Sequence, residues 1–238
     1  ISMGGDIDMG TGNIMAHAQD NGVDVGWIYV DGNIDRDETG TSTLDLRADN
    51  GILITSADIT STTGAIDVIL NADRDSDEDG RVSLNTVNIT TNGGYFVAGG
   101  GAGDIGGVDG ILGNDDGTGA DDTFAYAVGA GDSSGIILYN ANITTSGGDA
   151  IFHGYAKGAG TNDGAIFVNS QIRSGDGHIS ISGTSTGDSA STPTGVGLSG
   201  SSSQTVLETA GGNIDIIANS TNDDALFIYE DVSITTID

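Results

Sequence analysis

The sequence predicts an all-β chain folded as a parallel β-helix, a right-handed β-solenoid with coils of about 30 residues and one Gly/Asp-rich insertion. Three observations predict it. A unit of similar sequence recurs at nearly constant spacing. Inside each unit, apolar and polar residues alternate over short runs bounded by Gly, Asn and Asp, which is the pattern of strands. No stretch carries the 3.6-residue period of an amphipathic helix.

The clear units open at Gly51, Gly80, Gly135, Gly164, Gly195 and Ala225, with steps of 29, 55, 29, 31 and 30 residues. The long step is one period plus an insertion, placed at 98–134 within a single solenoid domain spanning 1–238. A weaker unit starts near Gly26, with WIYVDGNID followed by TSTLDLRAD. Each unit begins with a run such as Val82-Ser83-Leu84. A polar-Ile-Thr/Ser step and a Gly turn follow, then a second run such as Ile179-Ser180-Ile181. If each unit is one coil, equivalent residues stack about 4.8 Å apart. Ile59, Ile89, Ile143, Ile172, Leu207 and Ile234 then form one inward column, with Ala57, Val87, Ala141, Ser170 and Val232 beside it. Asp58, Asn88, Asn142, Gln171 and Ser233 face outward or into turns, as do Thr60, Thr90, Thr144 and Thr235. No single unit can bury its own apolar face, so stacking supplies the core. The right hand follows from the crossover preference of parallel strands. An antiparallel sandwich also accommodates short strands and turns, but columns in register at one period favour the solenoid.

Composition narrows the partners. The chain has 238 residues, 6 Lys+Arg against 35 Asp+Glu, and a net charge of −29. A surface this negative attracts neither nucleic acid nor an anionic membrane. No apolar run approaches the ~20 residues of a membrane span. With no cysteine there is no disulfide framework. The chain opens at Ile1 and stops at SITTID, mid-unit, so the expectation is a segment of a longer repetitive chain or a protein that associates end to end.

The units SADITSTTGAIDV, TVNITTNGGYFV and NANITTSGGDAIF resemble the repeats of filamentous-haemagglutinin-like exoproteins and related giant β-helical bacterial adhesins. The resemblance covers about residues 50–238 and rests on repeat style rather than a diagnostic motif. It implies export to the bacterial cell surface or extracellular space and an extended shape. The family's amino-terminal secretion module and any carboxy-terminal anchor are not part of this sequence.

The acidic turns carry the candidate chemistry. Asp73, Asp75, Asp77 and Asp79 alternate and are closed by Gly80, so their carboxylates can converge on one hard cation. Counting from Asp75, position 12 is Thr86 rather than the Glu of an EF-hand, so the expectation is a calcium turn between strands. Asp31, Asn33, Asp35 and Asp37 form a second, weaker alternate set, in which Arg36 is a ready ion-pair partner and Ile34 points inward. Gly117-Thr-Gly119-Ala-Asp121 matches half of a calcium-binding nonapeptide repeat, without the tandem copies such repeats need. A solvated acidic surface is the competing reading of all three.

Other chemistry is weakly signalled. The six cations, Arg36, Arg47, Arg74, Arg81, Lys157 and Arg173, fall in different units, which does not suit a lyase acting on an acidic polymer. His17, His153 and His178 are far apart, although His153 and His178 both follow a Gly turn. The Thr column is broken by Arg173 and Glu208, so it reads as cross-strand packing rather than an ice-binding array. Trp27 and Tyr29 share a strand face and offer a sugar-stacking pair or a local packing unit.

The expectation is therefore a non-catalytic structural repeat segment of an extracellular or cell-surface fibre or adhesin, stabilised by Ca²⁺. The alternative is an adhesin module binding a glycan or a surface protein. A polysaccharide-active β-helix enzyme is the remote third.

Overall fold

The computed structural model describes residues 1–21, 26–75, 80–101, 127–129, 134–156, 163–186, 193–221 and 223–237. Among them every regular element is a strand, and the strands form three sheets. The first sheet stacks Ser2–Met3, Ile28–Val30, Gly51–Thr55, Arg81–Asn85, Ile136–Tyr139, Ala165–Val168, Val196–Ser199 and Leu226–Tyr229. The second stacks Ile7–Asp8, Ile34–Arg36, Asp58–Ser61, Asn88–Thr90, Asn142–Thr144, Gln171–Gly175, Thr205–Ala210 and Val232–Ile237. The third runs Ile14–Ala18, Thr41–Ala48, Ala65–Ala72, Phe96–Gly100, Ala150–Ala156, Ile179–Ser185 and Ile214–Ser220. All the pairings are parallel, and each coil gives one strand to each sheet in turn, the architecture of a parallel β-helix. The described residues make eight coils, the eighth contributing to the first two sheets.

The inward columns are those that alternation predicts. Ile59, Ile89, Ile143, Ile172, Leu207 and Ile234 pair in one unbroken register, extended downward by Ile34 and Ile7. The neighbouring column of Ala57, Val87, Ala141 and Ser170 is buried as expected, and Thr205 fills the gap before Val232. In the third sheet, large and small residues exchange places between adjacent columns. Phe96 is followed by Ala150 in one column, and Ala98 by Phe152 in the next. The swap keeps the interior filled at constant coil spacing. Phe152 lies 5.3 Å from Phe96 and meets Phe167 edge-on at 5.2 Å, centroid to centroid.

Single left-handed residues turn the corners. Ser56, Thr86, Asn140, Asn169 and Glu230 occupy the corner between first and second sheets, all with φ between 47° and 56°. At the corner between second and third sheets, where Asn92 and Ser146 are also left-handed, close stacking of the coils needs glycine as well. A methyl group on Gly148 would run into the carbonyl oxygen of Gly94, and one on Gly177 into that of Gly148.

Three details depart from the sequence reading. Gly51 pairs with Arg81, so the unit opening assigned to Gly80 belongs one residue later. Residues 1–18 supply a complete coil of three short strands that the sequence repeat does not distinguish. Ala98–Gly100 belong to a third-sheet strand, so the coil continues past the assigned start of the insertion, and Ala127–Gly129 pairs with 154–156 in that same sheet. At the last coil the inward residues Leu226, Ile228 and Ile234 are 41%, 51% and 44% exposed.

Candidate functional site

Of the first calcium set, Asp77 and Asp79 lie outside the described residues, as do Gly117–Asp121 and Lys157. Asp73 is buried at the end of a third-sheet strand, in a left-handed conformation, with its N–H donating to the carbonyl of Asn50 at 3.0 Å. Its backbone is thus part of the coil rather than of a free turn. In the second set, Ile34 points inward as expected and Asp31, Asp35 and Asp37 are exposed. Asn33 is engaged in the ladder: its N–H donates to Asp6 Oδ1 at 3.1 Å, and its Oδ1 accepts the N–H of Asp58 at 3.0 Å. Among the described residues no group of three or more Asp, Glu, His or Cys is arranged to hold a metal ion.

Many corner side-chain acceptors have a structural role of this kind. Asn13 Oδ1 accepts from Thr43 N, Asp67 Oδ1 from Tyr95 N, Asp149 Oδ1 from His178 N, and His178 Nδ1 from Asn213 N. In each case a side chain of one coil satisfies a main-chain donor of the next, where the corner interrupts the sheet ladder. Burial holds the carboxyl of Asp67 above the usual range, the Tyr95 N–H opposing it.

A second internal device was missed in the sequence. Ser61, Thr91, Thr145, Ser174 and Thr209 are buried, each two residues beyond an inward Ile or Leu, with a register shift after Arg173 that sets Thr209 opposite Gly175. Each hydroxyl donates to the carbonyl of the glycine three residues on. Ser61 bonds Gly64 at 2.5 Å, Ser174 bonds Gly177 at 2.5 Å and Thr209 bonds Gly212 at 2.8 Å, while Thr91 and Thr145 bond Gly94 and Gly148 in the same way. Thr91 and Thr145 are therefore interior, not members of the outward Thr face beside them. The recurring [Ser/Thr]-x-x-Gly was the available signal.

In coil 2 this position holds Arg36, only 1% exposed. Its Nε donates to Ser42 Oγ at 2.9 Å and its Nη2 to the Thr39 carbonyl at 3.1 Å. The carboxylate pairing expected for Arg36 gives way to these interior partners. Other cations are also engaged in packing. Arg47 grips Asp45 through Nη2–Oδ2 at 2.7 Å, Arg173 approaches Glu208 at 3.8 Å, and Arg81 lies 5.4 Å from the centre of the Trp27 ring. Trp27 rests over Gly51, where a methyl group would collide with its ring, so it serves local packing. His153 is buried within the third sheet, paired in register with Ser182, while His178 lies at the exposed corner in line with Asp149. The two histidines do not meet. Burial pulls His153 down to about 4.

The outer faces vary from coil to coil. On the first sheet one outward column reads Tyr29, Leu53, Ser83, Ile137, Ile166, Gly197 and Phe227. Near its upper end Gly197 opens a groove of about 450 Å³ between Ile166 and Phe227, bordered by Asp163, Asp223 and Asp224. Phe227 and Tyr229 stand side by side there with ring centroids 6.0 Å apart and planes within 9°.

No family model, no curated protein and no solved structure matches this chain.

Proposed function

We propose that the chain is a non-catalytic structural segment of an extracellular or cell-surface fibre, a rod that sets length and presents variable outer faces. One observation carries the reading: inward apolar columns stay in register through all three sheets, with Arg36 the one cation buried in an inward column among the described residues. Such a coil lengthens by repetition at about 4.8 Å per turn without changing its cross-section. The engagement of Arg36, Arg47, Arg81 and Arg173 in packing and ion pairs favours this role over a lyase, which needs free cations along a groove. The repeat style shared with giant bacterial adhesins points the same way, as does the strong negative charge.

The test is immunogold labelling of intact source cells with an antibody raised against this chain. Gold along filaments or the outer surface is expected. Labelling confined to permeabilised cells overturns the reading.

A further inference from the structure

We infer that the groove at Gly197 is a docking site for a basic side chain, lysine or arginine, of a partner protein. This goes beyond a structural role, and no other part of the proposed function depends on it.

The groove follows from the register. Ile166, Gly197 and Phe227 occupy successive outward positions of the first sheet. Two large apolar residues thus flank a position with no side chain, and the missing side chain leaves a notch. A Cβ at Gly197 would stand 3.5 Å from Ile166 Cγ1, 3.4 Å from Thr194 Oγ1 and 3.9 Å from Asp163 Oδ2. The notch therefore has an apolar wall on one side and a carboxylate oxygen on the other. Phe227 is 43% exposed, so its ring is open to a ligand.

The polar end is set by the preceding corner. Asp163 Oδ1 accepts two hydrogen bonds from Thr194, from N at 2.8 Å and from Oγ1 at 2.5 Å. These bonds fix the carboxylate and leave Oδ2 directed toward the notch. Asp223 and Asp224 border the same groove. Burial already raises the pKa of Asp163, so a cation placed beside it gains by stabilising the charged form.

The occupant is chosen by charge complementarity. Among the described residues the lining side chains are aliphatic, aromatic, hydroxyl or carboxylate, with no cationic or amide donor. An anionic ligand is repelled by three carboxylates and by a chain of net charge −29. A long basic side chain fits both ends at once. Its methylenes lie on Ile166 and Val168, its charged head reaches the carboxylates, and the Phe227 face adds a cation–π contact.

The test is a two-dimensional ¹⁵N–¹H NMR titration of the full chain with Nα-acetyl-lysine methylamide and Nα-acetyl-arginine methylamide. The uncharged norleucine analogue and methyl β-glucoside serve as comparisons. At least one cationic probe is expected to give saturable shifts confined to residues around 163–168, 194–199 and 223–229. Affinity should fall at least tenfold in Asp163→Asn and vanish in Gly197→Val. Gly197→Val fills the notch from an outward strand position where the nearest atoms stand 3.4 Å or more from a Cβ, so the backbone accommodates a side chain there and the variant should fold, as its melting curve checks. Equal binding by the norleucine analogue, binding by the glucoside alone, no saturable binding, or unchanged binding in a folded Gly197→Val overturns the assignment.

Discussion

Replacing Thr145 by Val is expected to destabilise the protein, while the same change at its neighbour Thr144 is expected to be nearly silent. Thr145 is fully buried, and its hydroxyl donates to the Gly148 carbonyl, with the Ser174 carbonyl 3.3 Å away. Gly148 O is tucked beneath Gly177 of the next coil, where no room remains for a compensating donor to be added. Val keeps the shape of Thr and removes only the donor, leaving a sequestered acceptor unpaired, which costs about 1–3 kcal/mol. Thr144 faces outward, half exposed, and a surface change of this kind costs within about 0.5 kcal/mol. In a domain of this size about 2 kcal/mol corresponds to a fall in Tm of roughly 4–8 °C. The assay is thermal unfolding followed by circular dichroism, with Thr145→Ser as the rescuing control. Serine already holds this position in the coils of Ser61 and Ser174, so Thr145→Ser should retain most of the stability. Equal midpoints for the two valine variants would refute the inward assignment. Equal loss in Thr145→Ser and Thr145→Val would refute the role of the hydroxyl.

Four further outcomes are expected. Ile143→Asp should cost several kcal/mol in urea unfolding, because it buries an unpaired carboxylate, and more than Asn142→Asp on the outward face; equal losses would mean a register wrong by one residue. Gly148→Ala should lower the melting midpoint more than Gly197→Ala, since only the first drives a methyl group into a carbonyl of the coil below, and similar midpoints would contradict the close stacking. His153 is held down to about 4 against about 6.5 when unfolded, so its contribution is complete above pH 6.5 and is lost as pH falls toward 4, by about 3 kcal/mol at 1.36 per unit. Asp67 and Asp163, raised by burial, act with the opposite sign and regain stability on acidification, so the readout is the difference between parent and His153→Gln, which should lack the loss between pH 6.5 and 4. Calcium is expected to raise Tm more than sodium at equal ionic strength, and the excess should disappear in Asp75→Ala/Asp77→Ala; an equal rise in both proteins would rule out a specific site in that turn.

Much of the core was legible because two periods act together. Alternation by two fixes which residues point inward, and the coil period fixes which of them stack, so Ile59 through Ile234 could be aligned from sequence. The same arithmetic, carried two residues beyond Ile143, already places Thr145 inside. Its polar character concealed that, since a buried hydroxyl is acceptable only with a partner, and the partner, a carbonyl three residues on, lies across a turn. Arg36 shows the same limit more sharply. Its neighbours Asp35 and Asp37 made an ion pair the natural expectation, yet its position in the column sends it inward to Ser42 and Thr39. Coil 1 was hidden for a different reason: two of its strands are two residues long, too short for alternation to register.

The groove could not be read in advance because a solenoid constrains its two faces unequally. An inward position must fit the coils above and below it, so where one inward column changes size, as from Phe96 to Ala150, the adjacent column compensates, as from Ala98 to Phe152. An outward position has no such partner to satisfy, and its column can run from Tyr29 through Ser83 to Gly197 and Phe227. Periodicity therefore carries information about stability and almost none about recognition. Gly197 illustrates the point: in sequence it is one of 41 glycines, and nothing local separates it from those that turn corners. Unlike Gly148, it has no backbone of a neighbouring coil pressed against it, so packing does not demand a glycine there. The residue that matters for a ligand is then a glycine that the fold does not require, and it can be recognised only after the register has accounted for those that it does.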